Sequence, residues 1–172
     1  SCILFAMSYA RLGIVRRNVN RAEFARYVHE YAEPSKYLRE AGEAIQLYWL
    51  SGYIFFGSSE GVFERIRADI DALLPRQVAH VILDFGMVSG SDSAAIVSLT
   101  KLRNFCNQRG TTLICCSLAP ASRAALERGC FFGGKNRHPV FADLNSALAW
   151  CEDHLLAKAN VDAEFSLSDF KS

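Results

Sequence analysis

Between His80 and Leu118, two short apolar runs, HVILDF and TTLICCSL, bracket a stretch whose apolar residues recur at helical spacing. Each run is too short for a helix and is bounded by turn residues, so each reads as a buried strand. Ile96, Leu99, Leu102, Phe105 and Cys106 form the helical stripe between them, and Gly110 stops it. A strand, a helix and a strand in that order join in parallel, because the crossover carries the chain back to the edge where it started. This unit limits the fold more than any other feature. It requires a mostly parallel sheet with helices packed on it.

The flanking segments continue the alternation. Upstream, Ala44–Leu50 (AIQLYWL) and Tyr53–Phe56 (YIFF) read as two strands joined by a tight turn at Ser51-Gly52, a hairpin. Gly57-Ser58-Ser59 ends the second strand and caps a helix with Val62, Ile66, Ile70 and Leu73 on its inner face, with Pro75 beyond its end. Downstream, Pro120 opens a short helix that stops at Gly129, and Pro139–Ala142 reads as an edge strand. Asp143 caps a last helix whose buried face is Leu144, Leu148, Cys151 and Leu155. The expected fold class is α/β: a mixed, mostly parallel sheet of about five strands with four to five helices, preceded by a helical linker.

Ser1–Ala10 carries no charge, and Arg11, Arg16, Arg17, Arg21 and Arg26 follow it. The run is too short for a complete membrane span of ~20 residues. Its basic residues follow the apolar run, whereas a signal peptide carries them before it. Residues 1–16 are read as the end of a last transmembrane helix, with Ser1–Ile14 helical and the arginines on the cytoplasmic side, and an amphipathic or core helix of a soluble protein is the alternative. Residues 17–42, broken by Pro34, are read as a linker, 43–158 as one α/β domain and 159–172 as a polar tail. A net charge of +1 over 172 residues gives no footprint for a nucleic-acid partner. The six cysteines form no C-x-x-C pair, no histidine cluster has zinc spacing, and the thiols are expected to be reduced and mostly buried.

The stretch with chemical content is LDFGMVSGSDSAAI, residues 83–96. It holds no G-x-x-x-x-G-K-[ST], no G-x-G-x-x-G and no G-x-S-x-G, and nothing in the sequence pairs His29, His80, His138 or His154 with it. No catalytic residue, cofactor or metal ligand is expected. What remains is a strand ending at Asp84 and a loop that starts a helix near Asp92-Ser93. Asp92 caps that helix, and Ser93 presents a hydroxyl at the positive end of its dipole, where a phosphate would be accommodated. Plain capping and a phosphoacceptor or contact loop of Ser91, Asp92 and Ser93 are both open readings. Tyr48, Trp49, Tyr53, Phe55 and Phe56 crowd the preceding hairpin. Alternation sends Tyr48 and Leu50 to one face and Leu47 and Trp49 to the other; exposed members would suit a protein or membrane-domain contact, and coverage by the linker is the alternative.

VILDFGMVSGSDSAAIVSLTKL resembles the signature of the STAS domain, shared by sulfate transporters and anti-sigma factor antagonists. Asp84-Phe85, Val88 and Asp92-Ser93-Ala94-Ala95 carry the resemblance. In the antagonists a serine or threonine of the motif is phosphorylated. Here Ala94 and Ala95 replace the second hydroxyl and the glycine, which favours the transporter branch. LYWLSGYIFFGSSEGVFERI, ALAWCEDHLLA and FAMSYARLGIVRRNVNR are similar to the hairpin, the closing helix and the membrane exit of sulfate permease-type transporters. The resemblance implies a STAS (SpoIIAA-like) fold in the cytoplasmic C-terminal portion of a secondary anion transporter that moves sulfate or a related anion. It implies no enzyme activity. It further implies contacts with the transporter's own membrane domain, with a second protomer in a homodimer and with a regulatory protein. The alternative is a soluble, phosphorylation-switched module like the antagonists.

Overall fold

A computed structural model describes residues 15–20, 44–133 and 138–169, with side chains at 44–133 and 138–158. Five strands form one sheet: β1 (Val15–Asn20), β2 (Ile45–Ile54), β3 (His80–Ser91), β4 (Thr112–Cys116) and β5 (Val140–Phe141). The helices are α1 (Phe56–Ala72), α2 (Ser93–Gln108), α3 (Pro120–Arg128) and α4 (Leu144–Asp169). Strand order in space follows chain order, with β2 to β5 parallel and β1 antiparallel on the outer side of β2. Crossovers of one hand that always step in the same direction put their helices on the same face of the sheet.

The burial pattern shows those two faces. Tyr48, Leu50, Ile54, Val81, Leu83, Leu113 and Cys115 meet Val62, Ile66 and Ile70 of α1, Ile96, Leu99 and Leu102 of α2, and Leu126 of α3. The alternate residues Ile45, Leu47, Ile82, Ile114 and Cys116 meet Ala147, Leu148 and Cys151 of α4. Residues 80–85 are buried throughout, as a central parallel strand requires.

Polar contacts tie the layers together. Tyr48 donates its hydroxyl to Asp69 Oδ2 at 3.0 Å, joining β2 to α1. Burial, reinforced by the Asp69 carboxylate, pushes the Tyr48 phenol well above its ordinary range, so the hydroxyl stays a donor. Ser98 donates to Glu60 Oε2 at 3.0 Å, joining α2 to α1, and Thr111 donates to the Val78 carbonyl at 2.7 Å.

Five expectations change. The hairpin over Ala44–Phe56 is one continuous strand, β2, and Ser51-Gly52 is not a turn. Gly52, at φ +84°, sits where the β2–β3 register shifts, so its left-handed backbone absorbs an irregularity inside the strand. The Gly/Ser-rich loop after Phe85 is mostly strand, since β3 runs to Ser91 and pairs with the second half of β2. Val15–Asn20, read as spanning the membrane exit and the linker, is a strand, and the residues read as a polar tail continue α4 to Asp169. The N-cap of α1 is Phe55, whose backbone N–H is held by Ser58 Oγ at 3.0 Å. The helix expected at Ser1–Ile14 and the linker beyond Asn20 lie outside the described residues.

Two stability measurements check this packing. Leu148→Ala should lower the unfolding free energy by about 2–5 kcal/mol in urea melts, because it opens a cavity under α4. Asp143→Ala, which removes a solvent-side cap, should cost clearly less. Tyr48→Phe should cost about 1 kcal/mol at neutral pH, since it leaves Asp69 with Arg65 but without the buried donor. The raised phenol pKa contributes stability below pH 10, and that stability is lost as pH rises above it. The wild-type alkaline stability limb should therefore be steeper than that of Tyr48→Phe.

Candidate functional site

The sheet narrows at its C-terminal edge. β4 pairs with β3 only as far as Asp84↔Cys116 and then turns away at Ser117, which has φ +58°. Asp84 is buried there and its Oδ1 accepts the Gly86 N–H at 2.9 Å. Burial, then Asp84, pushes the Cys116 thiol up to about 12, so it remains a neutral packing group. Beyond this point β2 and β3 run on together, pairing Ser51 with Met87, Gly52 with Val88, Tyr53 with Gly90 and Ile54 with Ser91. Tyr53 lies over Gly90, where an added Cβ would come within 3.0 Å of its ring.

The candidate residues sit at the tip of this two-stranded extension. The Asp92 N–H donates to the Ile54 carbonyl at 3.0 Å, and Asp92 Oδ1 accepts the Ala95 N–H at 2.6 Å. Asp92 is thus held from both sides and caps α2. Ser91 is partly buried at the end of β3, and Ser93 is exposed as the first residue of α2. Across a cavity of about 230 Å³ they face Ala125, Arg128 and Gly129 at the C-terminal end of α3. Gly129 permits this close approach, since a Cβ there would overlap Ile96 Cγ2.

Arg128 is the charged residue of this cavity that sequence reasoning missed. It lies 35 positions from Ser93, and no local pattern links a helix C-terminus to the next helix's neighbour. A phosphate on Ser93 would meet the amino end of α2 and have a guanidinium across the cavity. Among the described residues no histidine lines the tip. His80 lies at the other end of β3, roughly 36 Å away along 12 residues of strand. His154 contacts His80, and His138 lines a separate cavity with Arg123 and Glu127. Among the described residues no group of three or more potential metal ligands converges.

The surface beside the tip is apolar. Tyr53 is 44% exposed, Phe56 53% and Met87 56%. Of the aromatic cluster in the sequence, Tyr48 is buried, Trp49 and Phe55 are partly buried, and Tyr53 and Phe56 face outward. An arrangement of exposed apolar groups beside a capped helix start offers a contact surface with a charge-sensitive edge.

Comparison with known proteins fits this architecture. Residues 39–147 match the STAS domain. The chain is 27% identical over 165 residues to the vacuolar basic amino acid transporter VSB1 of Saccharomyces cerevisiae, covering 91% of this chain and 16% of that protein. It thus spans about a sixth of the curated relative's length. Among solved structures, a sulfate transporter family protein from Wolinella succinogenes is 26% identical with a TM-score of 0.53, over 67% of this chain and 88% of that one. The murine Slc26a9 anion transporter in its inward-facing state aligns with a TM-score of 0.65 at 19% identity, over 88% of this chain and 24% of that one. The SulP transporter STAS domain from Vibrio cholerae aligns at 0.55 and 16%, over 88% and 97%. The match covers more than half of the chain and includes the β3–α2 segment with Asp84, Asp92 and Ser93, and the chain belongs to the STAS domain family.

Proposed function

We propose that this chain is the cytoplasmic STAS portion of a membrane transporter and that it regulates transport through contacts made at the β2–β3 tip. One observation carries the reading. The likeness to a transporter extends over 91% of the chain, beyond both borders of the STAS match, so the flanking segments belong to the resemblance too. The contacts fall on the transporter's own membrane domain, on a second protomer of a homodimer and on a regulatory protein. The exposed Tyr53, Phe56 and Met87 supply the apolar area, at about 25 cal/mol per Å² covered. Ser93 and Arg128 supply the charge-sensitive edge. The chain itself performs no chemistry. The membrane domain selects the solute. The longer sequence match makes a basic amino acid the first solute to test, and the likeness to sulfate and anion transporters makes sulfate the second.

Uptake of labelled arginine and labelled sulfate by the full-length parent in a membrane preparation tests the reading. Accumulation of one of the two above the level in membranes that lack the parent supports a transporter. Inactivity toward both, with the parent recovered in the soluble fraction, rejects it in favour of a soluble signalling module. At matched membrane abundance, Ser93→Ala should leave uptake unchanged. Ser93→Glu should change it by about two- to fivefold, the scale of one charge at a helix terminus. Arg128→Ala should reduce the response to Ser93→Glu. Equal rates in wild type and Ser93→Glu would reduce the β3–α2 junction to a plain strand-to-helix turn.

A further inference from the structure

His80 is the first residue of β3, buried between Ile45 of β2 and Thr112 of β4. Its Nε2 lies 3.3 Å from Nδ1 of His154 on α4, and its own Nδ1 is buried with no hydrogen-bond partner among the described residues. Trp150, one turn before His154, completes the cluster. Its ring stacks on His154 at 5.0 Å and 8°, meets His80 edge-on at 5.5 Å, and touches Phe141 of β5 at 5.8 Å. These side chains fasten α4 to the sheet at the N-terminal edge of β3, on the face where α4 is the only helix among the described residues.

We infer that the His80–His154 contact is a pH-sensitive latch that holds α4 on the sheet and releases it on acidification. One hydrogen bond between two imidazoles needs one donor nitrogen and one acceptor nitrogen. A proton on the exposed His154 is compatible with the contact, because Nδ1–H then donates to His80 Nε2. A second proton, on His80, removes that acceptor and sets two cations 3.3 Å apart with one of them buried. Among the described residues no group offers relief. The charges that bear on His80 are His154 and Lys158, both on α4 and both unfavourable to a cation. β2 has no charged side chain, and burial raises the pKa of Cys115 and Cys116 on β4, keeping both thiols neutral.

Burial first, then His154 and Lys158, lowers His80 to about 4. The sign of the pH dependence comes from linkage. A folded-state pKa below the ordinary 6.5 means that the docked state binds fewer protons than the released state between those values. Docking is therefore strongest above pH 6.5 and weakens as pH falls toward 4. At pH 5 the loss is about ten- to thirtyfold in the docking equilibrium.

Hydrogen exchange on the whole 172-residue chain at pH 7.5 and pH 5, corrected for the intrinsic rates, tests the latch. Amides of residues 144–158 should lose about ten- to thirtyfold of their protection relative to those of α2, and His80→Phe should abolish that difference. Equal losses in α4 and α2, or a full response in His80→Phe, would overturn the latch. If His80→Phe does not fold, the ring nitrogen resonances of wild type decide. A neutral His80 ring at pH 5 in the docked state supports the proposal, and a cationic ring at pH 6 with α4 still protected rejects it.

Discussion

Everything in this molecule depends on a sheet whose spatial order never departs from its order along the chain. Each β–α–β step moves one strand further in the same direction, so α1, α2 and α3 stack on a single face. No reversal of strand order opens a crevice of the kind that holds ligands in doubly wound sheets. Among the described residues the second face is left to the helix after the last strand, and Ala147, Leu148 and Cys151 of α4 pack on it. Ile45, Leu47, Ile82 and Ile114 are buried against this one helix among the described residues.

Strand length sets where contact chemistry can occur. β2 and β3 outlast β4, and their shared extension carries the start of α2 away from the main core. Exposed apolar side chains there are compatible with folding because the extension is held by backbone pairing and by Asp92, which bonds on both sides of the junction. A surface of this kind binds by covering apolar area and is tuned by charge at its edge.

The two ends of β3 differ in character. The C-terminal end is a polar, exposed junction facing Arg128, and the N-terminal end is a buried aromatic cluster around His80. A charge added at the first alters a surface, whereas a proton added at the second acts on packing. The distance between them lets the two respond separately.

The sequence by itself determined the elements whose cause is local. The stripes of α1 and α2, the caps Asp92 and Asp143, the burial of His80–Phe85 and the opposite faces of Tyr48 and Trp49 all come from side-chain period and capping chemistry within a few residues. The motif around Asp84 and Ser93 carried the family in the same way. Tertiary structure decided the features that depend on a distant partner. Ser51-Gly52 has the composition of a turn, but β3 offers parallel pairing to both halves of β2, and Gly52 bends within the strand instead. The Gly/Ser run after Gly86 is strand for the same reason, because backbone pairing with β2 outweighs weak intrinsic propensity. Val15–Asn20 is a strand only by virtue of the β2 edge it meets. Arg128 opposite Ser93 and His154 against His80 come from helix placement across the fold, and side-chain periodicity within one segment carries no information about which other segment it will face.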